Sequence, residues 1–202
     1  PQEDIIRIHA SSGTTGKPTP VFYSSKDLEN WGHCMARTFY TAGVRKTDVC
    51  QIALGYSLFT GAFGHHMGAE RIGAAVIPTS SGQTERQIMV MQDFKTTAIF
   101  CTPTYALTMA ERAARMGQDI KEWPLRTGVF GAEPWTIQMR EEIEHRMGIT
   151  AHEAYGLTEC AMGAVCNPPI PGKAKAGSVG LPVFDTECKV VDAASGKDLA
   201  PG

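Results

Sequence analysis

Short apolar runs alternate along the chain with longer stretches whose apolar residues recur every three or four positions. Residues 49–54, 74–78, 97–101 and 126–130 have the length and composition of buried strands. Residues 5–10 read as another strand, and 150–153 as a short further one. Between these runs the spacing predicts helices. Ser24 or Ser25 can cap one in which Leu28, Trp31, Met35 and Phe39 share a face. Thr84 begins a second, with Thr84-Glu85-Arg86-Gln87 in a capping-box pattern. A third runs from about Pro103 to Met116 and stops at Gly117. A fourth runs from about Thr136 to Met147 and stops at Gly148. The alternation predicts an α/β fold, a parallel-type sheet flanked by helices, with ligands bound beyond the carboxyl ends of the strands. After Glu159 the pattern changes. Residues 167–180 are rich in Pro, Gly and Lys without a helical period, and 187–192 alternate like an edge or hairpin strand. A boundary near Gly177 is expected, separating a main domain at 1–176 from the start of a small β-rich subdomain at 177–202.

Composition narrows the classes. The chain has 202 residues, 43% of them hydrophobic, enough to bury a proper core. Lys and Arg number 19 against 21 Asp and Glu, so no basic excess points to nucleic acid or an anionic membrane. No apolar run is long enough to span a bilayer, and the N-terminus lacks a basic, then apolar, leader. The expectation is a cytoplasmic protein with neither nucleic-acid nor membrane partners. Beginning at Pro1 and ending in a turn at 199–202, the sequence reads as a fragment of a larger protein. Cys34, Cys50, Cys101, Cys160, Cys166 and Cys188 are widely spaced and form no C-x-x-C pair, so they read as reduced, mostly buried thiols.

The chemistry is concentrated in Ser11-Ser12-Gly13-Thr14-Thr15-Gly16-Lys17-Pro18-Thr19. Glycines let backbone N–H groups close on an anion, hydroxyls donate, and lysine supplies charge. The run is not a Walker A loop, which needs four residues between its glycines and Ser or Thr after the lysine. Here Pro18 follows Lys17 and disfavours a helical conformation there, which argues against a strand–loop–helix cradle.

A second motif, Ala154-Tyr155-Gly156-Leu157-Thr158-Glu159, lies far downstream. Together the two runs resemble the signatures of adenylate-forming enzymes, the superfamily of acyl- and aryl-CoA ligases, luciferases and peptide-synthetase adenylation domains. Three more stretches resemble the phenylacetate–CoA ligase family: Phe130-Gly131-Ala132-Glu133-Pro134-Trp135, Gly68-Ala69-Glu70-Arg71-Ile72-Gly73-Ala74 and Leu58-Phe59-Thr60-Gly61. The resemblance implies an AMP-binding domain core over 1–176, incomplete at its N-terminus, in an ATP-dependent acid–CoA ligase. The acid and ATP would give an acyl-adenylate and pyrophosphate, and CoA would then displace AMP. It implies that residues 11–17 hold the β- and γ-phosphates, that Thr158 donates to the α-phosphate, and that Glu159 holds Mg2+, a hard cation suited to carboxylate and phosphate oxygens. Tyr155, with Gly156, would offer a face to adenine. Gly131, Ala132, Glu133 and Pro134 would form a backbone wall beside it.

The acyl pocket should be bordered by residues 53–61. Phenylacetate ligases usually carry Tyr-Gly-Tyr-Gly-Leu-Phe-Thr-Gly there. This chain has Leu54 at the first aromatic position and Ser57 at a glycine, while Tyr56 and Phe59 survive. Tyr105 is a further wall candidate. The pocket stays apolar but changes shape, so phenylacetate or a related aryl or acyl acid is expected. His65 and His66 are adjacent and would point about 100° apart on a helix. They make a poor metal pair, and one is expected at the pocket with the other at the surface. Cys160 and Cys166 follow the second motif closely, but no four-ligand zinc set accompanies them. A Gly-Pro-Gly stretch usual after the second motif is replaced by Cys160-Ala161-Met162-Gly163-Ala164-Val165, and 177–192 look more like fatty-acyl-CoA ligases. Two alternatives stand beside the ligase: an adenylation domain that loads a carrier protein, and a nucleotide-binding fragment without turnover. Expected partners are a small-molecule carboxylic acid, ATP and CoA, with a homodimer as one assembly open to the full-length enzyme.

Overall fold

A computed structural model of the protein describes residues 2–11, 16–160, 175, 177–184 and 186–199, and the backbone of 165–166. β1 (Arg7–Ala10) and β2 (Pro20–Tyr23) form an antiparallel hairpin in which Arg7 faces Tyr23 and Ala10 faces Pro20. There follow α1 (Ser25–Thr41), β3 (Val49–Ile52), α2 (Gly61–Ile72), β4 (Ala75–Ile77), α3 (Thr84–Asp93) and β5 (Ala98–Cys101). Then come α4 (Pro103–Arg115), β6 (Thr127–Phe130), α5 (Ile137–Met147), β7 (Thr150–Tyr155), β8 (Val165–Cys166) and β9 (Leu181–Pro182). One sheet of seven strands has the order β4-β3-β5-β6-β7-β8-β9. Its members from β4 through β7 pair in parallel, and β8 and β9 add on antiparallel. This is the α/β architecture that the alternating pattern predicts.

The sheet is covered on both faces, as parallel sheets require. Ala98, Phe100 and Val129 turn to one side, against Trp31, Met35 and Phe39 of α1 and Ala62 and Ala69 of α2. Ile99, Cys101 and Phe130 turn to the other, against Ile88 and Met91 of α3, Met109 of α4, and Ile143 and Met147 of α5. The period-two alternation of buried strands thus feeds two separate cores.

Local chemistry explains the ends. α1 starts in a full capping box. The Ser24 N–H donates to Asp27 Oδ2 at 2.8 Å and the Asp27 N–H to Ser24 Oγ at 3.3 Å. The Ser24 N–H, and the Ser24 hydroxyl donating to the same oxygen at 2.7 Å, hold the Asp27 carboxyl below the usual carboxylate range. Thr102 and Thr136 cap α4 and α5, with Pro103 at the first turn of α4. α5 ends on Gly148 at φ 69°.

Three expectations are revised. α3 does begin at Thr84, but its capping box is not made. Gln83 occupies the cap in a left-handed conformation, and its side chain makes no capping bond to the first-turn N–H groups. Gln87 is drawn into the interior instead. It donates to the Ser80 carbonyl at 2.7 Å and accepts from Gln51 Nε2 at 2.8 Å. Residues 187–192 form a single bridge, Val191 to Asp198, closed by a turn, rather than a strand. Among the described cysteine side chains only Cys50 and Cys101 are buried, while Cys160 and Cys188 are exposed. The Cys166 side chain lies outside the described residues. No group of three or more metal-ligating side chains occurs among the described residues. No helix among them is long and apolar enough to cross a membrane.

α2 was not expected from the sequence. Gly61, Gly64 and Gly68 lower its intrinsic propensity. The structure shows what they do. A Cβ at Gly64 would meet the Trp31 ring at 2.8 Å, and one at Gly68 would meet Met35 Cβ at 2.6 Å. The missing side chains let α2 lie directly on α1.

Candidate active site

The strands β3, β4, β5, β6 and β7 are parallel, so the loops after them emerge on one edge of the sheet. That edge holds a cavity of about 700 Å³. Residues from five strand ends converge on it. From the loop after β3 come Leu54, Gly55, Tyr56, Ser57, Phe59 and Thr60. Ser80 and Ser81 follow β4, and Cys101 closes β5. Gly131 and Ala132 follow β6, and Ala154, Tyr155, Gly156, Leu157 and Thr158 end and follow β7. Met35 of α1 and His65 of α2 complete the wall.

The turn after β6 is shaped by close contact. A Cβ on Gly131 would stand 2.3 Å from the Ala154 carbonyl oxygen, so only glycine lets the two strand ends meet. Ala132 sits at φ 69°, a left-handed conformation that costs an alanine free energy and is characteristic of binding sites. Tyr155 is half-exposed, with its ring available at the cavity. Thr158 and Glu159 begin a short 3-10 turn. Thr158 lines the cavity, whereas Glu159 is exposed beside it.

Tyr56 is anchored from behind. Its hydroxyl donates to His66 Nδ1 at 3.0 Å, and His66 Nε2 donates to Glu70 Oε1 at 3.1 Å. Burial, with Glu70 nearby, pushes the Tyr56 hydroxyl up to about 12, so it stays protonated. Of the two histidines, His65 faces the cavity and His66 braces a wall residue from outside.

The described residues at the two ends of the glycine-rich run, Ser11 and Gly16–Thr19, belong to the connection of the β1–β2 hairpin. Ser11 closes the hairpin. Its N–H donates to the Thr19 carbonyl, and its Oγ accepts from the Thr19 N–H, both at 3.0 Å. Ser12, Gly13, Thr14 and Thr15 lie outside the described residues. Gly16 and Lys17 are exposed. A strand follows Lys17 rather than a helix, as Pro18 implies. The hairpin is fastened to the loop after β3: the Ala10 N–H and His9 Nδ1 both donate to the Leu58 carbonyl, at 3.0 and 2.9 Å.

Three expected wall residues lie elsewhere. The Tyr105 hydroxyl donates to the Gly82 carbonyl at 3.1 Å, which holds the ring against the loop before α3. Glu133 turns back to accept the Thr104 N–H at 2.7 Å, satisfying an open donor in the first turn of α4. Pro134 is exposed and outside the cavity lining. Conversely, sequence reasoning did not single out Met35, Ser80, Ser81 or Cys101. The last three stand at carboxyl ends of strands, and that position was the available signal.

The family model described as "AMP-binding enzyme" matches residues 1–202. Over 160 residues the chain is 53% identical to the phenylacetate-coenzyme A ligase of Escherichia coli (strain K12), covering 79% of this chain and 37% of that protein. Over 159 residues it is 50% identical to the phenylacetate-coenzyme A ligase of Pseudomonas putida, covering 79% of this chain and 36% of that one. The chain therefore spans less than two fifths of the length of these relatives. The crystal structure of the anthranilate CoA ligase AuaEII in complex with anthranoyl-AMP matches with a TM-score of 0.81 at 25% identity, covering 99% of this chain and 38% of that one.

Proposed function

The chain belongs to the AMP-binding enzyme family, and on that premise we propose that the complete protein is an ATP-dependent acid–CoA ligase acting on phenylacetate or a related aryl or acyl acid. The observation that carries the reading is convergence. One cavity joins the apolar wall of Leu54, Tyr56 and Phe59 to the Gly131–Ala132 turn and to Tyr155, Gly156 and Thr158. An acid and a nucleotide can thus meet in one enclosed place.

In the first step a carboxylate oxygen of the acid bonds to the α-phosphorus of ATP, and the bond from that phosphorus to the β-phosphate oxygen breaks. Pyrophosphate leaves with the electron pair. Both reactants are anions, so their approach demands fixed geometry and neutralised charge. Tyr155 presents its ring to the adenine, and the backbone of Gly131 and Ala132 forms the wall beside it. The Thr158 hydroxyl donates to the α-phosphate. Residues 11–17 bind the departing phosphates, Lys17 supplying charge from an exposed position that lets pyrophosphate go. Glu159 is an exposed carboxylate that belongs to no group of three or more metal-ligating side chains among the described residues, which fits Mg2+ shared with nucleotide phosphates better than an all-protein cage. Mg2+, when bound, would neutralise phosphate charge there. In the second step the CoA thiolate attacks the acyl carbon, a thioester forms and AMP leaves.

The test is ATP–pyrophosphate exchange by the complete protein. Exchange that depends on an arylacetate or fatty acid supports the reading. Nucleotide binding without acid-dependent exchange would overturn it.

A further inference from the structure

His65 is 5% exposed and forms part of the cavity wall. Its ring packs against the Phe39–Phe100 pair, with centroids 5.2 Å from each. Nδ1 lies 2.7 Å from the Gly61 carbonyl oxygen of its own helix. A carbonyl can only accept, so Nδ1 carries the proton and Nε2 keeps a lone pair. Burial lowers the imidazole to about 4, so it is neutral near pH 7. No described residue bonds Nε2. The polar atom left unmatched thus belongs to a side chain that is almost wholly buried and borders empty space.

An acceptor that borders a cavity without a protein partner is matched by water, and an occupant that displaces that water must reproduce its bond or lose affinity. Donors do line the cavity, the hydroxyls of Tyr56, Ser80 and Thr158 among them, but none bonds His65, and the Cys101 thiol, kept protonated by burial, is a weak one. The occupant of the cavity is left to supply the partner.

Building on the acid–CoA ligase reading, we propose that the acid carries a hydrogen-bond donor on its tail, a hydroxyl or ring N–H remote from the carboxylate, and that His65 Nε2 accepts from it. Unsubstituted phenylacetate offers only C–H groups there. His65 is accordingly a specificity-determining residue. A site built to bond a hydroxyl rejects the analogue lacking it far more strongly than an apolar pocket distinguishes a methylene.

The experiment compares phenylacetate with its ortho-, meta- and para-hydroxy derivatives in ATP–pyrophosphate exchange by the complete protein. The wild type should favour one hydroxylated isomer over phenylacetate by about tenfold or more in kcat/KM. His65→Leu should bring that ratio to within about threefold of unity, and His65→Gln, which keeps an acceptor, should retain part of it. A general structural role for His65 would lower exchange with all the acids together and leave the ratio in place. A wild type that prefers no hydroxylated isomer overturns the inference while exchange with phenylacetate sustains the ligase reading. So does an undiminished ratio in His65→Leu. Should that variant fail to fold, the wild-type ratio decides alone. Exchange with none of the acids overturns the ligase reading and the inference with it.

Discussion

Replacing Gly68 by alanine tests whether the α1–α2 contact is as close as the structure has it. The new Cβ would stand 2.6 Å from Met35 Cβ, 2.9 Å from the Met35 carbonyl carbon and 2.9 Å from the Phe39 ring. One of these atoms is backbone, so a side-chain rotation cannot relieve the clash and the helices must part. Overpacking of this kind costs roughly 1–3 kcal/mol. Alanine returns about 1 kcal/mol of helix propensity. The expected net loss is about 0–2 kcal/mol. Gly32 is the control, because it lies on α1 in the same seam, facing α2. There a Cβ would find Arg71 Nη1 at 3.5 Å and Met67 Cβ at 3.8 Å, ordinary contact distances. Gly32→Ala should therefore stabilise, by up to about 1 kcal/mol. Urea unfolding of the two variants and the wild type in the complete protein gives the sign of each change. Equal stabilisation by both would show that the helices are not in backbone contact at Gly68.

Glu159→Gln should slow pyrophosphate exchange by about a hundredfold or more, since charge stabilisation at a metal-bound phosphoryl group is worth several kcal/mol. Exchange at the wild-type rate would remove the proposed metal role. Leu54→Tyr should shift relative kcat/KM toward phenylacetate over a medium-chain fatty acid by about threefold to tenfold, the worth of one added aromatic contact. Loss of activity on both acids at constant preference would refute the aryl wall. His65 and His152 are both lowered from 6.5 to about 4, chiefly by burial. A lowered folded value means that stability is complete above pH 6.5 and drains away as pH falls toward 4. The loss is about 3 kcal/mol for each histidine at pH 4. A urea midpoint unchanged between pH 7 and pH 4.5 would contradict their burial in neutral form.

The elements that the sequence made legible are those whose packing obeys a simple period. α1 shows its apolar stripe at Leu28, Trp31, Met35 and Phe39, and β5 and β6 are bare apolar runs ending at turns. α2 was hidden because its glycines serve a partner helix, and propensity describes a helix alone. The Thr84 capping box failed for a similar reason. Gln87 had a buried appointment with Gln51, which stands 36 positions away in sequence. At the site, the Tyr155–Thr158 and Leu54–Phe59 segments could be placed because their motifs sit where strands end. Glu133 and Tyr105 could not. Whether a side chain beside a turn faces the cavity or a neighbouring helix end depends on a long-range partner, Thr104 for one and Gly82 for the other.

The glycine-spaced seam between α1 and α2 also decides which parts of the cavity can give way. His65 rides on a helix pressed against its neighbour's backbone, with its ring packed on a pair of phenylalanines. Phe59, by contrast, stands half-exposed on a loop. The cavity has a stiff side and a compliant side. A bound acid is gauged against the stiff side by shape, and the loop takes up the slack. Under mutation the two sides then drift differently. Loop residues can be exchanged singly, each altering preference a little. Enlarging the stiff side requires compensating changes on both helices at once, so that boundary of the acceptable acids should shift only rarely.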